Sequence, residues 1–133
     1  MLLLQGRVEY FLQHYASRAF YGPLLDAGVE IYEYKRSFMH AKVAVIDQRW
    51  STVGSSNIDP FSLLLAREAN LVVDDPPFAQ ELRSSLQRDM ESGAMMVAKT
   101  AWRQQPWMER ALIWASYNFA RLLMGLIGHA DKH

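Results

Sequence analysis

The sequence predicts an α/β domain, and two kinds of observation carry that prediction. Short β-branched or aromatic runs bounded by glycines or polar turns recur at Val29–Tyr34, Ala41–Ile46, Trp50–Val53 and Glu68–Val73. Around them, apolar residues fall at helical spacing, first at Val8, Phe11, Leu12, Tyr15, Ala19 and Phe20, then at Phe78, Leu82, Leu86 and Met90. Strands mixed with helices within 133 residues mean one α/β domain with a sizeable core rather than two full domains.

Each element has its own local reason. Leu2–Leu4 reads as a short buried strand closed by Gly6. Residues 8–20 form an amphipathic helix, and Pro23 restarts a helical turn that ends at Asp26, Ala27 and Gly28. Val29–Tyr34 and Ala41–Ile46 follow as strands. Asp47, Gln48 and Arg49 make a turn into Trp50–Val53, which closes on Gly54. Residues 60–66 read as a short helix and Glu68–Val73 as a fourth strand of this type. Asp75 is placed as an N-cap with Pro76 at the first helical position, and Gly93 ends the helix. Residues 94–106 read as a linker or loose helix, and Pro106 precedes an apolar run from Trp107 to Gly128.

Composition excludes several classes of function. Half of the residues are hydrophobic and 16 are aromatic (four Trp, six Tyr and six Phe), so the chain is not disordered. Fourteen basic residues balance fourteen acidic ones, which argues against holding nucleic acid by bulk charge. Without cysteine there is no disulfide framework, thiolate metal site or cysteine nucleophile, and a reducing compartment fits. Leu2–Leu4 is far too short for the apolar core of a secretory leader. The charge is uneven, however: from Lys99 onward five bases (Lys99, Arg103, Arg110, Arg121, Lys132) face two acids.

The informative stretch runs from His40 to Asn57. On a strand, His40 and Lys42 leave the same face, at the start of an otherwise apolar segment built for burial. An imidazole and an ammonium there cost free energy unless something satisfies them. At the end of the next strand, Gly54, Ser55, Ser56 and Asn57 bring backbone N–H groups, hydroxyls and an amide, the donors an anionic oxygen needs. A lone HxK is ordinarily a strand-edge histidine beside a surface lysine. Here the pattern is longer, with Asp47 and the Gly-Ser-x-Asn turn at fixed distances behind it.

This pattern, HxKxxxxDxxxxxxGSxN, resembles the signature of the phospholipase D superfamily, and its neighbourhood is similar to the carboxyl-terminal half of bacterial cardiolipin synthases. The flanking runs are YGPLLDAGVEIYEY at 21–34, WSTVGSSNIDP at 50–60 and EANLVV at 68–73. The resemblance covers roughly residues 1–92, with a weaker echo in the apolar tail. It implies a mixed sheet flanked by helices. It also implies roles that agree with side-chain chemistry. His40 is the expected nucleophile at phosphorus, since an imidazole offers a lone pair at neutral pH. Lys42 is expected to hold the non-bridging phosphoryl oxygens, with Ser55 and Asn57 adding hydrogen bonds. Glu68 matches the acid that orients the histidine; its competing reading is an exposed strand residue beside Arg67. Asp47 belongs to the signature, but it follows the strand, where stabilising a turn is as reasonable as catalysis. Asp59 has the same status. No metal or cofactor enters this chemistry, and His14, His40, His129 and His133 lack ligand spacing.

The sequence departs from the family in one respect. A complete site in this superfamily uses two HxK motifs, and this sequence holds one. The second is expected from a missing amino-terminal half or, less favoured, from the partner in a homodimer. The division expected is a partial phospholipase D-like domain over 1–93, a linker over 94–106 and an apolar helix over 107–128. That helix carries Trp107, Leu112, Ile113, Trp114, Phe119, Leu122, Leu123, Met124, Leu126 and Ile127, with Arg110, Arg121, Gly125 and Gly128 near one stripe. Its length is borderline for the roughly 20 residues of a span. Arg121 would cost around 2.5–3.5 kcal/mol near the bilayer centre. A membrane-interfacial helix is therefore preferred to packing within the protein or a dimer, and both to a true span.

The function expected is phosphatidyl transfer in cardiolipin synthesis through a phosphohistidine. The partners expected are phospholipid substrates and the cytoplasmic surface of the cell membrane, with nucleic acid disfavoured. The alternatives are a phosphodiesterase or nuclease of the same superfamily with water as acceptor, or an inactive half-domain that needs a partner.

Overall fold

In the computed structural model, residues 1–57 and 67–130 are described, the last five of these by their backbone alone. The elements are β1 (Leu2–Gln5), α1 (Phe11–Arg18), α2 (Tyr21–Asp26), β2 (Ile31–Tyr34), β3 (Val43–Ile46), β4 (Trp50–Gly54), β5 (Asn70–Asp74), α3 (Pro76–Gly93), β6 (Ala94–Met96), α4 (Lys99–Arg103) and α5 (Trp107–Ala130). They form two compact units. The α/β class holds. The short helix expected over 60–66, and Asp59 with it, lie outside the described residues.

Among the described residues, the first unit contains β1 to β6 and α3. The strands form two three-stranded sheets, a mixed one ordered β1-β2-β6 and an antiparallel one ordered β3-β4-β5. In the first, β1 runs parallel to β2 with Leu2 opposite Ile31, and β6 runs antiparallel to β2 with Tyr32 opposite Met96. The second is an antiparallel meander, with Ile46 opposite Trp50 and Trp50 opposite Asp74. Helix α3 packs against strands of both sheets. Its start is as expected: Asp75 is extended, and its carboxylate accepts a hydrogen bond from the Phe78 N–H at 3.1 Å, with proline following directly. Ile31, Tyr34, Ala79 and Ser51 are buried here. Buried Glu33 has the Lys35 ammonium 3.5 Å away, which limits the cost of burying a carboxylate.

The second unit is helical. Helix α1 lies along α5, where Ala16, Ile113, Ser116, Ala120 and Met124 are buried. The positions on α5 recur every three or four residues, so they form one stripe. Small side chains there let the helices approach closely, and Phe20 meets Tyr117 edge to face at 5.9 Å. Helix α2 ends as its sequence predicts. Gly28 has a φ of 82°, and the Gly28 and Val29 N–H groups donate to the carbonyls of Leu25 and Leu24 at 3.2 and 2.9 Å. Across from it, the Asp26 carboxylate receives Lys99 at 2.8 Å and Arg103 at 2.7 Å from α4.

Several boundaries differ from the sequence reading. Helix α1 begins at Phe11 rather than Val8, because Tyr10 is extended and supplies no capping side chain. Residues 94–106, read as a linker or loose helix, contain β6 and α4. A three-residue strand leaves no periodic pattern in sequence, and Ala94–Met96 is strand only because β2 offers it an edge. Helix α5 packs one stripe inside its unit, while Trp107, Trp114, Phe119 and Leu122 stay exposed. Among the described residues, no helix is long and apolar enough to cross a membrane.

The hairpin of β3 and β4 is tied to β5 by a two-pronged ion pair. Arg49 donates from Nε and Nη2 to the two Asp74 carboxylate oxygens at 2.7 and 3.0 Å, holding Asp74 below the usual carboxylate range. A carboxylate with a lowered folded pKa stabilises the fold above its unfolded value of about 4, and that contribution is lost as pH falls through the folded value. Arg49→Gln is therefore expected to lower Tm slightly at pH 7, and by less as pH falls below about 4. Thermal unfolding followed by circular dichroism from pH 7 downward checks this.

Candidate functional site

The antiparallel meander decides which residues meet. The start of β3, the end of β4 and the start of β5 lie at one end of the sheet. His40 and Lys42 immediately precede β3, Ser55 and Asn57 follow β4, and Glu68 precedes β5. The ladder continues one step beyond the strands: the Gly54 N–H donates to the Lys42 carbonyl at 3.0 Å, and the Ser55 N–H to the Ala69 carbonyl at 3.0 Å. Lys42 is thus held opposite Gly54, and Ser55 opposite Ala69. Five of the sequence-predicted residues are gathered at one sheet end. His40 and Ser55 are exposed there, whereas Lys42, Asn57 and Glu68 are half-buried. The Lys42 ammonium lies 3.5 Å from the His40 carbonyl oxygen. An exposed imidazole, an ammonium, hydroxyls and an amide carried at one sheet end are the groups needed to attack phosphorus while holding its oxygens.

Asp47 is placed elsewhere. It stands in the β3–β4 hairpin at the opposite end of the sheet, five residues or about 16 Å of extended chain from Lys42. Its φ is 51° and that of Gln48 is 55°, and the Arg49 N–H closes the turn on the Ile46 carbonyl at 3.1 Å. Two consecutive positive φ values define a type I′ turn, in which aspartate is favoured. The geometry gives Asp47 a part in the turn and none at the His40 end.

Sequence reasoning missed three residues that shape this end. Asn70 donates from Nδ2 to the Ser56 hydroxyl at 2.6 Å and accepts from the Ser56 N–H at 3.4 Å, clamping the turn that carries Ser55 and Asn57. Gln5 accepts from the Met39 N–H at 3.3 Å, directly before His40. Arg7 donates to the carbonyls of Lys35 and Arg36, both at 2.9 Å, and its guanidinium lies over the Phe38 ring. Only Asn70 left a trace in the sequence, as part of the EANLVV run; Gln5 and Arg7 act across some thirty residues. Among the described residues, no group of three or more His, Asp or Glu side chains is arranged to hold a metal ion.

The family model for the cardiolipin synthase PLD-like domain matches residues 2–90. The chain belongs to that family. Cardiolipin synthase B of Salmonella typhi is 36% identical over 132 residues, which cover 99% of this chain and 32% of that protein. Cardiolipin synthase B of Escherichia coli (strain K12) is 34% identical over the same shares. Cardiolipin synthase A of Proteus mirabilis (strain HI4320) is 37% identical over 115 residues, 86% of this chain and 24% of that protein. The PLD-like chain therefore spans about a third of the length of the synthase B relatives it matches. No solved structure matches it.

Gly54 offers a test of the site's construction. A Cβ there would collide with the Asn70 side-chain oxygen and the Ala69 carbonyl, both parts of the clamp. Gly54→Ala is expected to destabilise the protein by about 1–3 kcal/mol, the usual range for forced overpacking. Urea denaturation measures the loss, and amide exchange at Ser55 and Ser56 is expected to quicken with it.

Proposed function

We propose that this chain supplies one histidine of a phosphatidyl-transfer site used in cardiolipin synthesis. The observation that carries this reading is the convergence of His40, Lys42, Ser55, Asn57 and Glu68 at one end of the β3-β4-β5 sheet, in a chain whose relatives are named cardiolipin synthases. His40 attacks the phosphorus of a donor phospholipid. A P–N bond forms as the P–O bond to the leaving alcohol breaks, and that alcohol takes a proton from a general acid. The acceptor hydroxyl then attacks phosphorus, returns a proton to the same group and releases His40. Lys42, with Ser55 and Asn57, stabilises the charge that builds on the non-bridging oxygens. Glu68 orients the imidazole. The general acid is the histidine of a second HxK motif, since these 133 residues hold one.

The protein works at the cytoplasmic surface of the cell membrane in this reading, with the exposed Trp107, Trp114 and Leu122 of α5 toward lipid. That face also favours a lipid acceptor over the water of a phosphodiesterase.

In an assembly that transfers phosphatidyl groups, His40→Ala is expected to lower kcat by at least about a thousandfold, since a covalent catalyst is lost. Asp47→Asn is expected to stay within about tenfold of the parent, because asparagine tolerates the same left-handed turn. Transfer measured with labelled phosphatidylglycerol separates the two. A His40→Ala variant within tenfold of the parent would overturn the nucleophile assignment.

A further inference from the structure

The second unit holds a cavity of about 290 Å³ between α2, α4 and the first turns of α5, and no residue of the His40 site lines it. Its chemistry is lopsided. Arg18, Lys99, Arg103 and Arg110 face it, against the single carboxylate of Asp26. Lys99 and Arg103 both pair with Asp26, which leaves one positive charge over. The Arg18 guanidinium carbon lies over aromatic rings, 5.3 Å from the Trp102 centroid and 5.7 Å from that of Tyr21. Arg110 has no carboxylate within ion-pair distance among the described residues. Lys99, Arg103 and Arg110 against Asp26 thus leave an excess of two positive charges at the cavity.

What adjoins this cavity indicates the source of the anion. Arg110 lies one helical turn from both Trp107 and Trp114, which are 77% and 69% exposed. From there an apolar arc continues through Ala111, Leu122 and Met108, away from the stripe that packs on α1. An anion-attracting cavity and an unpartnered apolar face, joined at one arginine, match a molecule with a phosphate at one end and hydrocarbon at the other. At about 290 Å³ the cavity lies near the lower end of the roughly 300–1,000 Å³ of ligand pockets, so it suits a headgroup and not a whole lipid.

We propose that this cavity binds the phosphate-bearing headgroup of an anionic phospholipid at a membrane surface, while the exposed arc of α5 rests on the acyl chains. The proposal rests on the membrane-surface part of the reading above and not on the histidine chemistry. It differs from general attraction of a basic surface to an anionic membrane in requiring a shaped, saturable site.

Gly22 makes that difference measurable. It lines the cavity, and a Cβ there would meet only the Trp102 indole nitrogen, at an ordinary 3.5 Å. Gly22→Met therefore fills the cavity without changing any charge. Sedimentation of the full chain with vesicles of phosphatidylglycerol and phosphatidylcholine, equimolar, reads the affinity. Circular dichroism confirms that each variant is folded. Gly22→Met and Arg110→Gln are each expected to weaken binding at least about tenfold, as for loss of charge-assisted hydrogen bonds. Arg121→Gln, which removes an equal charge outside the cavity, is expected to cost no more than about fivefold. Vesicle binding by Gly22→Met and phosphatidyl transfer by His40→Ala are separate readouts, so failure here and failure of the catalytic reading are separable. On the parent protein, the Trp102 indole N–H resonance is expected to shift with dihexanoyl phosphatidylglycerol and not with inorganic phosphate at equal ionic strength. Three results would overturn the proposal: parent-like binding by Gly22→Met, no preference of the parent for anionic vesicles, or an equal Trp102 shift with inorganic phosphate.

Discussion

The close approach of β4 and β5 at Gly54 is the constraint on which the candidate site depends. There is no room for a side chain at this position, because the Asn70 side-chain oxygen and the Ala69 carbonyl occupy the space. That closeness allows the Ser55 N–H to reach Ala69 and Asn70 to grip Ser56 from two sides. On its other edge, the Gly54 N–H secures the Lys42 carbonyl. One backbone position therefore sets the register of the lysine before β3 and of the serine and asparagine after β4. A shift of one residue in either ladder would send these side chains to the opposite face. The Ser55 and Ser56 side chains are held by their bonds to Ala69 and Asn70 before any ligand arrives.

The His40 approach is secured differently. Residues 35–39 are not strand, and they are tied back by side chains from the first few residues, Gln5 to the Met39 N–H and Arg7 to two carbonyls. Such contacts leave no local signature, which is why they were not legible in the sequence. The motif itself was legible because its chemistry and its local structure coincide: a strand, a turn and a strand fix the spacing between His40 and Asn57. The same logic explains Asp47. Its place in the signature is set by the hairpin, whose positive φ values favour aspartate, and spacing alone cannot distinguish a residue that acts on substrate from one that closes the turn.

Strand pairing was the least legible level. The runs at Val29–Tyr34, Trp50–Val53 and Glu68–Val73 announced strands, but nothing in them stated that two separate sheets would form. The three residues of β6 became strand only beside β2. In the helical unit, the stripe of Ile113, Ser116, Ala120 and Met124 was hidden within a run that is apolar nearly all round. The run serves two purposes at once. One side of α5 packs on α1, and the other carries exposed tryptophans beside a cationic cavity.

The central claim is that the sheet end organised by Gly54 presents His40 as a nucleophile to phosphorus. It is tested most directly by trapping the intermediate. An assembly active in phosphatidyl transfer is incubated with phosphorus-labelled phosphatidylglycerol, quenched in alkali to preserve a phosphoramidate, and digested for mass spectrometry. The account predicts label on the imidazole of His40. Continued turnover with label on another residue, or with none on protein under conditions that preserve a P–N bond, would contradict it.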